Sequence, residues 1–401
     1  MSGMSKGVDV IVIGGGVIGA AVAYYLVRAG VQTMLLDRGD VASGTSSACD
    51  GNIVAIGQRP GFDSQMTLES QRLLEVLVEE MDCDVEYTRK GSVLVVEDES
   101  QVAFARSWYE RQKQAGLPMR YIEGDAIFES EPLLARDVVG LVECASDGAL
   151  NPMAFAYAMI RAARKGGAVI APFTEAQDIL VDACGAVKGV RSRGRILRSK
   201  RVVLATGIWT AEVARSVGLE IPIIPRKGHI LVGEKTPIRA TRKVQELGYV
   251  MAKNPETGKR DVDRETEERG VALVYEPCES GNFLLGSSRE FTGFDSTCDK
   301  RVLQLIAKRA VRFFPCLREL HVIRTYAGLR PFTIDHRPIV SEVESIPGLF
   351  IAAGHEGTGI AQAPITGQMI ASMIAETKCA IQPEALSIKR FEVKQQQERM
   401  V

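Results

Sequence analysis

Val10-Ile11-Val12-Ile13-Gly14-Gly15-Gly16-Val17-Ile18-Gly19, running on to Leu35-Leu36-Asp37, decides the fold. A buried strand stops at glycines spaced G-x-G-x-x-G, a helix follows, and a second apolar strand ends in an acid. Gly14 allows the tight turn, Gly16 lets backbone approach a pyrophosphate, and Gly19 lets helix and strand pack closely. The phosphates then sit at the helix N-terminus, against Val17 and Ile18. Asp37 lies where a carboxylate accepts the hydroxyls of an adenosine ribose, with Arg38 beside it. A glycine triplet alone also fits a plain tight turn. Strand, helix and acid in register make this a dinucleotide site, although the motif does not separate NAD from FAD.

The chain has 401 residues, 46% hydrophobic and 25% charged, which suits a soluble globular protein of two or three domains. A formal net charge of -1 gives no electrostatic footprint for nucleic acid or an anionic membrane. The eight cysteines are scattered and none has C-x-x-C spacing, so no zinc or iron–sulfur site is expected. Free thiols in a reducing cytosol are the expectation, and hence a cytoplasmic protein. The apolar run Val10–Val27 resembles a signal peptide only superficially, because it carries four glycines and no cleavage-type ending. No other stretch is long enough to span a bilayer.

Outward from the opening motif, the pattern predicts helices over 20–29, 65–81, 101–114 and 153–165. It predicts short strands at Val93–Val96, Ala168–Ile170 and Arg201–Ala205, and a hairpin from Gly189 to Ser199. From about 222 to 325 the character changes to short alternating strands such as His229–Val232 and Phe283–Leu285, with a polar, exposed insertion over Lys253–Arg269. The last 75 residues return to α/β character.

Four further stretches bear on the cofactor. Ser43-Gly44-Thr45-Ser46-Ser47, leading to Gly51-Asn52-Ile53, offers hydroxyls and backbone N–H groups to phosphate and to a flat ring, although an ordinary polar loop reads the same way. Val202–Ala205, continuing through Thr206, Gly207 and Trp209, is a buried strand whose small terminal residues let backbone pass close to a cofactor; a plain core strand is the alternative. In Gly328-Leu329-Arg330-Pro331 the guanidinium of Arg330 can act as a two-pronged carboxylate clamp. A structural salt bridge would look the same. Gly354-His355-Glu356-Gly357-Thr358-Gly359-Ile360 precedes a helix with Pro364 in its first turn, so free N–H groups and the positive dipole end face the loop. A reduced flavin carries negative charge around N1 and the C2 carbonyl and benefits from that field; nicotinamide has no comparable need.

At this point the chain resembles the FAD-dependent amine and amino-acid oxidoreductases of the D-amino-acid oxidase type. The resemblance runs in order through Gly14/Gly16/Gly19, Asp37, Gly44-Thr45-Ser46, Asp147–Pro152, Ala205-Thr206-Gly207, Pro225–Gly228, Gly286-Ser287-Ser288, Gly328–Pro331 and Gly354–Gly359. It implies a fold of the α/β class: a Rossmann-type FAD-binding domain with an inserted α+β substrate domain built on an antiparallel sheet. The discontinuous FAD domain is expected over 1–85, 145–222 and 325–401, and the substrate domain over 86–144 and 223–324. The resemblance places Arg330 at the substrate carboxylate, the loop 354–360 against the flavin, and Ala176 at the adenine.

Within that family, Gly286–Phe291 and Gly354–Gly359 look like the FAD-containing β subunits of hetero-oligomeric dehydrogenases that oxidise proline, hydroxyproline, sarcosine or opines. Glycine oxidase has a second arginine where this chain has Gly357, which counts against glycine as substrate. Monomeric sarcosine oxidase has an oxygen-activating lysine on the strand read here as Phe283–Gly286, and this chain has none. The expectation is therefore an FAD-dependent dehydrogenase for an amino or imino acid, passing electrons to a partner subunit or a quinone. An oxygen-using oxidase, a flavin hydroxy-acid dehydrogenase and a non-catalytic flavin subunit are the rival readings. His229, Tyr249 and His355 are candidate substrate or flavin contacts. His321 and His336 are read as structural, and Glu276 and Glu356 as solvated rather than paired with an amine.

Overall fold

The computed structural model describes residues 7–252 and 260–391. Val10–Ile13 is a central strand of a six-stranded sheet, ordered Ile339–Glu342, Leu349–Ala353, Arg201–Leu204, Val10–Ile13, Thr33–Leu36 and Val169–Ala171. All neighbours run parallel except the edge strand Ile339–Glu342. Both faces are covered, which is why the first strand reads as an unbroken apolar run rather than an alternation. Val10 and Val12 face the helices Val17–Arg28, Pro152–Lys165 and Gly359–Ala375. Ile11 and Ile13 face a small sheet of Asp178–Val181, Val187–Ser192 and Arg195–Arg198. Each such side chain taken fully out of water contributes about 1.5–3 kcal/mol.

The first helix begins at Val17, three residues before the sequence expectation, because Gly16 in an extended conformation serves as its N-cap. Gly19 lies inside it, where a Cβ would stand 1.8 Å from the Gly14 carbonyl oxygen. That contact fixes how closely the helix approaches the strand. Pro364 sits one turn deeper in the last helix than expected, since that helix starts at Gly359. Its missing N–H leaves the Ile360 carbonyl without a helical donor.

A second sheet of eight strands forms the roof of a cavity. Its order is Val322–Thr333, Ile223–Gly233, Phe283–Gly286, Val274–Pro277, Lys243–Glu246, Ser92–Val96, Gly140–Cys144 and Met119–Ile122. Neighbours are antiparallel except Lys243–Glu246 with Ser92–Val96. Its outer face, with Leu231, Val244, Tyr275 and Leu285, packs on the helix Lys300–Phe313. The expectation of only short strands here is corrected by two long ones, paired from Ile223↔Thr333 to Gly233↔Val322. Pro225-Arg226-Lys227-Gly228 interrupts the hydrophobic alternation, so periodicity alone sees only the second half of the first strand.

Of the expected polar insertion, 253–259 lies outside the described residues. The remainder is not all exposed: the Arg260 side chain is buried, bonding Glu246 at 2.9 Å and Glu267 at 2.7 Å. Asp147 joins the two halves of the molecule. Fully buried, it accepts from Ala55 N at 2.7 Å, Ile56 N at 3.3 Å, Gln71 Nε2 at 2.9 Å and Ser92 Oγ at 2.6 Å. Among the described residues no helix is long and apolar enough to cross a membrane, and no cluster of His, Cys, Asp and Glu is placed to hold a metal. All eight cysteines are free thiols.

Candidate active site

A cavity of about 600 Å³ lies between the carboxyl ends of the parallel strands and the roof sheet. Residues Gly14, Gly16, Val17, Ile18, Asp37, Arg38, Gly44, Thr45, Ser46, Asn52, Ala176, Thr206, Gly207, Trp209, Gly354, Gly357, Gly359 and Ile360, all expected to hold the cofactor, line it. Three expected contacts do not. Gly19 is spent on helix–strand packing. Gly51 faces Leu150, whose carbonyl oxygen would be 1.8 Å from a Cβ there. Thr358 turns its hydroxyl to the His355 carbonyl at 2.7 Å and to Gln362 at 3.0 Å.

The chemistry of the lining fits an FAD. Both Asp37 oxygens accept backbone N–H groups, from Gly15 at 2.7 Å and Gly39 at 2.8 Å, which fixes the carboxylate in the cavity wall. Ser46 Oγ accepts the Val17 N–H at 3.0 Å, leaving the following N–H groups of the helix to an anion. The last helix also starts without a side-chain cap, in front of the cavity. Asn52 is buried with its Oδ1 unpartnered, a group that calls for a donor. The Arg38 guanidinium lies 4.0 Å over the Trp209 ring, which stacks on Phe294 at 6.2 Å and walls one end.

At the other end stand Arg330, Tyr249, Ile230, Val274 and Ser287. Arg330 Nη1 donates to the Ser288 carbonyl at 2.9 Å, and Nη2 bonds Ser287 Oγ. Two of its five N–H groups are thereby used to hold the fork, and the rest remain for a ligand. A Cβ on Gly228 would overlap the guanidinium, so glycine there makes room for it. Gly357 packs beside the Arg330 side chain, whose Cδ would be 3.7 Å from a Cβ there, an ordinary contact. Tyr249 lines the cavity with the Arg289 guanidinium 3.7 Å behind its ring.

The histidines divide differently from expectation. His229 does not face the cavity: Gly228 and Ile230 do, and strand alternation turns His229 to the other face, where it is fully buried. There Nδ1 meets Ser288 Oγ at 2.8 Å and Nε2 accepts from Asp299 N at 3.0 Å. His355 does line the cavity, bonded to Thr366 Oγ1 at 2.9 Å, and burial pulls it down to about 3, so it is neutral. His336 is not isolated. Its Nδ1 is 2.9 Å from Glu356 Oε2, and the other Glu356 oxygen pairs with buried Arg226. Glu356 and Glu276 are both buried, against the expectation of solvated acids. Burial, then the charges of Arg289 and Arg330, hold Arg226 down at about 9. No motif spacing hints at the Arg226–Glu356 pair, because its members lie on separate elements far apart in the chain.

The family described as FAD dependent oxidoreductase (DAO) matches residues 9–373. The chain is 27% identical to glycine oxidase of Geobacillus kaustophilus (strain HTA426), covering 96% of this chain and 98% of that one. It is 26% identical to an opine oxidase subunit of Rhizobium meliloti, covering 97% and 99%. The crystal structure of glycine oxidase from Geobacillus kaustophilus superposes with a TM-score of 0.82 at 25% identity, over 96% and 98% of the two chains. With a dinucleotide cradle and this match along nearly its whole length, the chain belongs to the DAO family of FAD-dependent oxidoreductases.

Proposed function

We propose that the chain is a dehydrogenase for an amino or imino acid of the proline, hydroxyproline, sarcosine or opine type, producing an imine. The observation that carries this reading is Arg330, held by Ser287 and Ser288 above the glycine loop 354–360. A guanidinium fixed in that way binds both oxygens of a carboxylate and sets the angle of the carbon beside it. Positioning of this kind supplies much of the rate. FAD, when bound, would supply the two-electron acceptor for this oxidation. The imine then hydrolyses, or persists if cyclic.

Gly357 supplies no second guanidinium beside Arg330, which counts against glycine as the substrate. Phe283-Leu284-Leu285-Gly286 carries no lysine, which supports electron exit to a partner subunit or a quinone. The opine oxidase relative is by its name one part of an assembly, which supports a partner here. The word oxidase in the relatives' names favours a second reading, in which oxygen is the acceptor. An anaerobic absorbance titration of the purified holoprotein with D- and L-proline, hydroxyprolines, sarcosine and opines tests the proposal. Bleaching by at least one of them is expected; bleaching by hydroxy acids alone would overturn it.

A further inference from the structure

Behind the cavity lining, on the same side of the roof as the arginine fork, lies an acid. Val274 lines the cavity and Tyr275 stacks in the outer core on Phe283, so Glu276, the next residue along the strand, returns to the cavity side. Glu276 is 5% exposed, and its two oxygens accept the Gly51 N–H at 3.0 and 3.1 Å. The residue before Gly51 is Asp50, which lines the cavity together with Cys49 and Asn52. The Tyr326 hydroxyl donates to the Cys49 carbonyl at 3.2 Å, and Thr45 Oγ1 to the Leu329 carbonyl at 2.8 Å. The loop bearing Asp50 is thus tied down on both sides, to the strand of Glu276 and to the strand of Arg330.

The charges agree with this geometry. Burial, and then the neighbouring charge of Asp50, push Glu276 up to about 8. The Cys49 thiol feels Asp50, Glu276 and Arg330 together, so the acid pair and the guanidinium stand around one part of the cavity. The other acids of the lining are committed or distant. Glu356 is held by Arg226 and His336. Asp37 is held by Gly15 and Gly39. Glu175 and Glu212 lie next to Ala176 and on the helix following Trp209, at the far end. Neutral His355 is bonded to Thr366. Asp50 forms no hydrogen bond or ion pair with its side chain among the described residues.

Oxidation of an amino acid needs a nitrogen lone pair to form the C=N bond, and the ammonium present at neutral pH has none. Resting on the function proposed above, we infer that Asp50 pairs with the substrate ammonium opposite the Arg330 fork and takes its proton, with Glu276 as the positioning residue behind it. The N–H proton passes to the Asp50 carboxylate and frees the lone pair. The adjacent C–H bond then breaks, its hydrogen and two electrons going to FAD as hydride, and the lone pair closes the C=N bond. Asp50 returns its proton to solvent.

The test is anaerobic reduction of the holoprotein by the best substrate of the titration between pH 6 and 10, for wild type, Asp50→Asn and Glu276→Gln, each with its FAD content measured. Asp50→Asn is expected to be slowed more than tenfold at pH 7 and to recover as solution deprotonates the amine. Wild type is expected to show an inflection near pH 8 that Glu276→Gln lacks. A binding readout runs beside it, with proline against tetrahydro-2-furoate, a ring carboxylate without an ionisable nitrogen, followed by flavin absorbance. Wild type should prefer proline and Asp50→Asn should bind the two alike. An unchanged pH profile with an unchanged preference for proline would overturn the assignment of Asp50. If no amino or imino acid bleaches wild type, the proposed function falls, and the binding preference alone decides Asp50.

Discussion

Arg226 and Arg330 stand directly opposite each other across the antiparallel strands Ile223–Gly233 and Val322–Thr333. Like charges in that relation repel. The two guanidinia are held by different partners: Arg226 goes to Glu356, over the Phe332 ring at 4.6 Å, and Arg330 to Ser287 and Ser288. One arginine is paired within the wall and the other faces the cavity.

Glu356→Gln should therefore be strongly destabilising, because it leaves Arg226 buried and without a counter-charge. Removing one partner of a buried pair costs about 3–5 kcal/mol. Thermal melting with saturating FAD checks this, and the double variant Glu356→Gln/Arg226→Met should recover much of the loss. A single variant that melts like wild type would show that the pair is not a stabilising contact.

Arg330→Lys should cripple turnover and leave the flavin spectrum nearly unchanged. Lysine keeps a charge but cannot hold Ser288 O and Ser287 Oγ while presenting a planar fork. Loss of a charge-assisted bond costs about 1.5–3 kcal/mol, roughly ten- to a hundredfold in affinity. Stopped-flow reduction by the amino acid and by its decarboxylated amine measures the effect. Wild type should prefer the acid strongly, and equal discrimination by both proteins would make Arg330 structural.

For Asp37→Ala the expected result is lower FAD occupancy. The carboxylate holds the Gly15 and Gly39 N–H groups at the cavity wall, so its removal loosens the cradle on both. Flavin retained per chain after extensive dilution is the measurement, and full retention would refute the role.

Reduced protein should pass electrons to an artificial dye much faster than to oxygen, given the lysine-free strand Phe283–Gly286. Peroxide production matching the dye rate would transfer the chain to the oxidase reading and leave its family untouched.

Acid should destabilise the fold through His355. Its folded value, about 3, lies below the ordinary 6.5. The unfolded chain therefore binds the proton first, and this contribution to stability is complete above 6.5 and is lost as pH falls toward 3. A His355→Gln variant should lose stability less steeply across that window in pH-dependent melting curves.

The amino-acid sequence by itself determined the parallel sheet, its glycine cradle and Asp37, because strand, turn and helix are local and their spacing is a fixed chemical requirement. The arginine fork was also legible, since Gly328-Leu329-Arg330-Pro331 is contiguous. What faces the cavity across the roof was decided by tertiary structure alone. His229 looked like a contact until strand pairing showed that Gly228 and Ile230 occupy the inner face. Glu356, Arg226 and His336 lie on separate elements, as do Asp50 and Glu276, and only the packing of the 44–52 loop and the glycine loop beneath the roof brings each set together. Burial then changes their chemistry: a glutamate that sequence reads as solvated becomes an acid held near 8 once it loses water and gains a charged neighbour.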